Sequence, residues 1–222
     1  MKELLKTAAI LAIFFASTFL IIKSLGLFTI DDIELWLEKA SKIDTLYVSL
    51  IVISLLFIDL FIAIPTLTTT LLAGYFLGFV GGALSVFIGF MLSGVVGYAL
   101  SRRYGSALLQ KIYKNPTKLH EMRSIFSEYG TTMLLICRAM PILPEVSCCL
   151  SGANKMPFSK FILFYMLGTV PYLLIATYAG SVSSLDNPKP AIFAAIGLSL
   201  VLWLSWFFFI KKIDKKGKID EA

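Results

Sequence analysis

Charged residues along this chain are gathered into short stretches, and the runs between them are apolar and long. A hydrocarbon core about 30 Å thick asks for roughly 20 consecutive apolar residues in a helix. Leu4 to Leu27 has that length, interrupted only by Lys6 and Lys23, and so do Val80 to Leu100, Phe161 to Val182 and Ala191 to Ile210. The pattern predicts four full transmembrane helices. The first is read as a retained helix and not a cleaved signal peptide, because its apolar stretch exceeds the about 7–15 residues of a signal core and no A-x-A site is evident.

Charge fixes the expected orientation. Residues 102–123 carry Arg102, Arg103, Lys111, Lys114, Lys118 and Arg123, and the tail carries Lys211, Lys212, Lys215, Lys216 and Lys218. Basic loops stay in the cytoplasm, so both termini and the middle loop are expected there. The acidic stretch 28–45 and the turn 183–190 are then outside. Two further apolar stretches must each return to the side they left. Residues 46–79 start and end outside, by crossing twice or by dipping and returning. Residues 130–157 start and end inside and are too short for two crossings. Pro65 lies near the middle of the first, Pro141 and Pro144 near the middle of the second. Proline removes a backbone donor and clashes with the preceding turn. Broken backbone at membrane depth is tolerated only inside protein or beside a wet cavity.

The expected fold is therefore an all-α polytopic membrane protein, one domain over 1–222, with about four full transmembrane helices and two re-entrant helical hairpins. Residues 46–64 are left open between half a hairpin and a full crossing. The two broken stretches also match at an offset of 79: Pro65 with Pro144, Phe79 with Phe158, Gly89 with Gly168, and the small pair Ala73-Gly74 with Gly152-Ala153. One copy opens outward and the other inward, so 46–105 and 130–182 read as inverted repeats, an arrangement that transporters use around a midplane site.

Composition agrees with the pattern. Hydrophobic residues make up 58% and charged residues 15%, against about 25% charged in a soluble domain. The net charge of +6 belongs to groups flanking apolar runs, where they set topology and meet anionic headgroups. No basic patch interleaved with aromatics points to nucleic acid. Cys137, Cys148 and Cys149 are an odd set in apolar sequence, and the single histidine, His120, is remote in the chain. They read as small packing residues, with no metal or cofactor expected. No nucleophile–base pair or phosphate loop points to an enzyme.

Two segments carry a resemblance. LLAGYFLGFVGGALSVFIGFMLSGVVGYALSRRYG (71–105) is a Gly-rich helix ending in a Tyr–Arg–Gly group. CRAMPILPEVSCCLSGANKMPFSKFILFYMLGTVP (137–171) has Arg-x-x-Pro-x-x-Pro, then Gly, a loop and Phe. Together they resemble the DedA/SNARE-associated Golgi protein family, also called the VTT-domain family, over roughly residues 45–182. The resemblance implies two inverted re-entrant hairpins and translocation or scrambling of lipids, including undecaprenyl phosphate and phospholipids in bacteria, with proton or potential dependence in some branches. The classical bacterial branch resembles Pro-Gly-Glu where this chain has Pro65-Thr66-Leu67, and a second arginine of that branch falls at Pro144. The Arg138 motif is more similar to the Golgi-type branch.

Asp59, Arg138 and Glu145 are the sharpest candidates, since an ionisable group within a span is costly unless it faces a cavity or a partner. Arg138 suits a phosphate or other anionic headgroup, and Asp59 or Glu145 would exchange the coupling proton. A structural Asp59–Arg138 pair is the plainer reading of two of them. Half-helices after Pro65 and Pro144 would aim amides at the anion, with Thr66, Thr69 and Ser147 as hydroxyl donors, although such hydroxyls often only satisfy nearby carbonyls. Gly81, Ser85, Gly89, Ser93, Gly97 and Ser101 recur every four residues, a stripe for close packing against a hairpin, and Gly152 serves the same purpose. Residues 115–129 are expected as a short surface helix with Leu119, Met122, Phe126 and Tyr129 on its apolar face, and residues 31–42 as an outer one with Ile33, Leu37 and Trp36 toward lipid. The leading function is movement of anionic lipids in the cytoplasmic membrane. Small-ion transport and a non-transporting scaffold are the alternatives, membrane lipids are the expected partners, and self-association into a homo-oligomer stays open.

Overall fold

A computed structural model describes residues 30–42, 44–62, 64–105, 116–139, 143–184 and 189–219, with isolated positions 9, 10, 13, 17, 107 and 109. The first predicted span, Leu4 to Leu27, falls almost entirely outside the described residues, as does Pro141. Among the described residues every element is helical.

Helix α1, Ile30–Ser41, has Asp31 and Asp32 in its first turn and Lys39 in its last, matching the helix dipole at both ends. Its apolar residues at helical spacing, Ile33, Leu37 and Ala40, are buried. This corrects the expectation that Ile33 and Leu37 face lipid. Both are fully buried, and Leu35 and Trp36 occupy the outer face. The face they bury belongs to a helix packed against the next one in the chain, α2, Thr45–Ile58. On the exposed side Lys42 donates to Glu38 at 2.8 Å. That hydrogen bond, and then the lysine's charge, hold the Glu38 carboxyl below its ordinary value.

Asp44 starts α2 by accepting from the Leu46 N–H at 3.1 Å, the usual service of an N-cap carboxylate. The helix has 14 residues, about 21 Å at 1.5 Å each, short of the roughly 30 Å core. It ends at Asp59, and the chain turns through residues 59–62 to Pro65. Helix α3, Thr66–Leu100, follows, and is broken at Gly78, whose φ is 69° and ψ 177°. The chain doubles back there. A Cβ on Gly82 would lie 2.8 Å from the Ala73 carbonyl oxygen, whereas residues nine apart in a straight helix stand about 13 Å apart. Residues 66–77 and 79–100 are therefore two limbs, and the stripe from Gly81 to Ser101 begins on the second. A π-helical turn, Ser101–Gly105, closes it.

The second half repeats this order. Helix α4, Pro116–Ile136, opens with proline in its first turn, where a missing N–H costs nothing. It does not stop at 129 as the sequence pattern had it. Gly130 is tolerated, because one glycine costs only about 1 kcal/mol in a helix, and the apolar residues beyond it extend the same helix. Its side chains split accordingly: Phe126 is buried, while His120 is exposed. A 3-10 turn, Cys137–Ala139, comes next, then the 11-residue α5, Leu143–Ala153. A turn with Lys155 at φ 58° leads into α6, Phe158–Ser181. Helix α7, Lys189–Ile219, ends the described chain. Two segments, Thr66–Gly105 and Phe158–Ser181, are long and apolar enough to cross a membrane, the first by virtue of the limb after Gly78.

The described residues fall into two compact units, one built on 30–96 and 169–196, the other on 97–168 and 197–219. In the first unit a Cβ on Gly89 would lie 2.8 Å from the Leu56 Cβ of α2, and one on Gly74 would strike the Thr177 backbone. In the second unit a Cβ on Gly168 would lie 2.7 Å from the Leu135 carbonyl oxygen, and one on Gly152 would strike the Tyr98 carbonyl. The offset of 79 carries Gly89 to Gly168, Leu56 to Leu135, and Tyr98 to Thr177. Gly89 of the stripe rests on α2, within 46–64.

Gly89→Leu and Gly168→Leu should each lower the yield of monodisperse protein and its thermal midpoint, because overpacking a close contact costs about 1–3 kcal/mol or more. A Gly89→Leu protein of normal stability with changed substrate choice would contradict this. Gly78→Ala should also destabilise, by roughly 1–3 kcal/mol, through backbone strain alone, since an added Cβ there meets nothing within 4 Å.

Candidate functional site

Arg138 sits on the 3-10 turn that ends α4, and only 8% of it is exposed. Its Nη2 donates to the Tyr165 hydroxyl at 3.1 Å, and its guanidinium carbon lies 5.9 Å from that ring's centre. Tyr165 stacks on Phe161 at 5.5 Å, one turn earlier on α6, and Phe161 stacks on Tyr98 of α3 at 4.5 Å and 16°. The far end of this stack is pinned. The Tyr98 hydroxyl donates to the Met156 carbonyl at 2.5 Å, and Arg102 Nη1 donates both to Tyr98 at 2.5 Å and to Met156 at 2.8 Å.

Helix α5 packs on the 3-10 turn and supplies the other polar groups. Pro144 is its second residue, where proline is harmless. Glu145 follows in the first turn, a position the helix dipole favours for a carboxylate. Residues 144–148 are all buried. Glu145 and Arg138 both act electrostatically on Cys137 and Tyr165, so the four lie within electrostatic reach of one another. Ser147 is 1% exposed, and its hydroxyl has no hydrogen-bond partner among the described residues. Its neighbour one turn on, Ser151, donates back to the Ser147 carbonyl at 2.7 Å. The structure thus brings Arg138, Glu145 and Ser147 into one unit. Cys137, Cys148 and Cys149 are free thiols in the same region.

Asp59 and the candidates between 65 and 89 belong to the other unit. Asp59 is 4% exposed and accepts from the Ile64 N–H at 2.8 Å, bridging the turn between α2 and Pro65. Its backbone N–H closes α2 on Leu55. Thr69 donates to the Pro65 carbonyl at 3.1 Å and Thr70 to that of Thr66 at 2.7 Å. These are local helix bonds of the kind hydroxyls make in apolar surroundings. Thr66 and Pro65 are half-buried at the start of α3, Gly97 is buried, and Gly81 is half-buried with the Leu77 Cβ as its neighbour.

Sequence reasoning missed Tyr165 and the stack that carries it. A signal was present in the repeat: at the offset of 79, Phe161 and Tyr165 replace Gly82 and Val86. The second copy departs from the first toward large aromatics where it meets Arg138.

Long apolar helices joined to short broken ones, with ionisable groups buried at the breaks, define an α-helical membrane protein. A family model of the VTT domain matches residues 64–182, just over half of the chain. The chain belongs to the VTT-domain family. No curated protein and no solved structure matches it. The matched region holds Arg138, Glu145, Ser147 and Tyr165 but begins after Asp59.

Asp59→Ala should destabilise by about 1–3 kcal/mol, because it leaves a buried amide unsatisfied, whereas Asp59→Asn retains an acceptor and should lose less. Thermal midpoints of the three purified proteins test this. Equal loss in both variants would remove the capping role from the carboxylate oxygen.

Proposed function

We propose that the protein is a membrane transporter that moves lipids with anionic headgroups, phospholipid or polyprenyl phosphate, from one leaflet to the other. The observation that carries this reading is Arg138, a buried guanidinium at a break between helices, with Glu145 and the Ser147 hydroxyl supplied by the next helix. A cation at membrane depth costs about 2.5–3.5 kcal/mol by insertion scales, a cost that binding an anion there offsets. The short helices on either side supply what a re-entrant hairpin needs, and membership of the VTT-domain family supports the same class.

In this reading the two broken stretches are inverted re-entrant hairpins, the termini are cytoplasmic, and the protein lies in the cell membrane. Glu145 exchanges a proton as Arg138 is occupied or freed. Asp59 is the second candidate for that exchange, and its bond to Ile64 favours a structural part instead. Thr66 and Thr69 are weaker ligands than Ser147 by the same reasoning, since Thr69 already gives its hydrogen bond to Pro65. In the same reading the Arg138 motif favours the Golgi-type branch over the classical bacterial one.

Proteoliposomes of wild type and Arg138→Ala at matched incorporation test the reading. Labelled anionic lipid should cross quickly with wild type and at the rate of empty vesicles with the variant. Folded wild-type protein that moves none of several lipids would reject it, in favour of small-ion transport or a scaffold.

A further inference from the structure

A cleft of about 110 Å³ opens between α1, the first limb of α3 and the junction of α6 with α7. Its wall includes Glu34, Leu71, Leu72, Tyr75, Ser183 and Ala191, all in one compact unit. A water molecule takes about 30 Å³ of liquid, so the space suits a small group and not a whole lipid. The wall is fixed by backbone. A Cβ on Gly180 would strike the Leu71 carbonyl, which sets α6 directly on that limb. Ser183, just past α6, donates to the Ala179 carbonyl at 2.6 Å and accepts from the Ala191 N–H at 2.9 Å. Its proton is thereby committed to joining α6 to α7.

Glu34 is the charged group of this lining. It makes no hydrogen bond or ion pair among the described residues, with Lys189 or any other, whereas Glu38, one turn on, is held by Lys42 at 2.8 Å. Helix α1 carries Asp31, Asp32, Glu34 and Glu38 against Lys39 alone, and a concave site lined by one sign of charge draws in the other.

The chemistry of the wall selects among occupants. An anion is repelled by Glu34. A neutral apolar group would take the carboxylate out of water without pairing it, which is costly. A hard metal ion asks for several oxygen ligands, and no group of three metal-binding side chains occurs among the described residues. A primary ammonium brings three N–H donors to a wall with one carboxylate among mostly apolar side chains. A quaternary ammonium brings none, packs its methyl groups on Leu71 and Leu72, and is attracted by both a carboxylate and an aromatic ring. Tyr75, 39% exposed, supplies the ring.

We propose that this cleft binds a quaternary ammonium group, held by the Glu34 carboxylate and the Tyr75 ring. The group is that of a free choline-like cation or of a choline lipid headgroup. The proposal does not rest on the reading of Arg138, which belongs to the other unit.

Saturation-transfer NMR on the purified full-length chain in maltoside detergent reads binding of choline through its methyl signal, and titration gives the dissociation constant. Glu34→Gln should weaken choline binding about fivefold, as loss of one accessible ion pair does. Tyr75→Leu should weaken it about threefold or more, and Tyr75→Phe should bind as wild type does, because the ring acts and not its hydroxyl. Glu34 and Tyr75 are exposed, so thermal midpoints should stay unchanged. If Tyr75→Leu does not fold, loss in Glu34→Gln with none in Tyr75→Phe upholds the site. The uncharged carbon isostere of choline, 3,3-dimethylbutanol, should bind more weakly than choline by a factor like that of Glu34→Gln. Equal binding of the isostere, or choline binding untouched by Glu34→Gln, would overturn the proposal. Glycerophosphocholine separates the two sources: Glu34-dependent binding tighter than that of choline assigns the site to a lipid headgroup, and equal or weaker binding assigns it to a free cation. Wild type that binds neither compound overturns the proposal. A protein that binds choline through Glu34 and moves no lipid in proteoliposomes would lose only the transport reading.

Discussion

Backbone amides and carbonyls have no water to bond with inside a bilayer, and every helix break at that depth must be covered by protein. Most of this architecture follows from that constraint. The chain breaks at Gly78, between α2 and α3, and between α4 and α5. At each short helix a glycine allows another backbone to come within contact distance. Gly74 lies on Thr177, Gly152 on Tyr98, Gly89 on α2 and Gly168 on α4. Between helices in lipid, dispersion and close approach take over much of what the hydrophobic effect does in water. Small residues at these points are thus a condition for having broken helices at all.

The same constraint concentrates polarity. Breaks free backbone groups and shorten helices, and the ionisable residues of the apolar core sit where the breaks are: Asp59 after α2, Arg138 after α4, Glu145 at the start of α5. Their local environments differ. Asp59 closes its own turn through the Ile64 amide, so its carboxylate has a folding task. Arg138 is tied to a side chain of another helix, and the neighbouring Ser147 hydroxyl is buried with no hydrogen-bond partner among the described residues. Asp59 caps its own turn, and Arg138 reaches across to Tyr165 of α6.

Much of this was legible in the sequence because it depends on residue types with one physical use. Pro65 precedes α3, Pro144 lies in the first turn of α5, and Gly89 and Gly168 each lie against another helix. Gly78 was hidden in a run of glycines, since nothing local says which of Gly78, Gly81 and Gly82 takes the positive φ. The inward turn of Ile33 and Leu37 was also hidden: an amphipathic face reads the same whether it meets lipid or protein. The continuation of α4 past Gly130 is hidden for a similar reason, since the pattern changes there from amphipathic to apolar while the helix runs on.

Tyr165 shows where reading by residue type stops. Aromatic residues in apolar helices are ordinary, and no single-residue rule separates a tyrosine that only packs from one that also bonds a buried guanidinium. What distinguishes this one is its place in a repeat. Where the first copy has Gly82 and Val86, close to the chain reversal at Gly78, the second has Phe161 and Tyr165 beside Arg138. Two stretches that match at a fixed offset supply a comparison within one chain, because residues they share point to a common packing need and residues that differ point to local ones. The glycines kept in both copies, Gly89 and Gly168, answer to packing. The positions that differ, Asp59 against Arg138 and Val86 against Tyr165, are the ones where the second stretch buries a guanidinium and hydrogen-bonds it to a phenol.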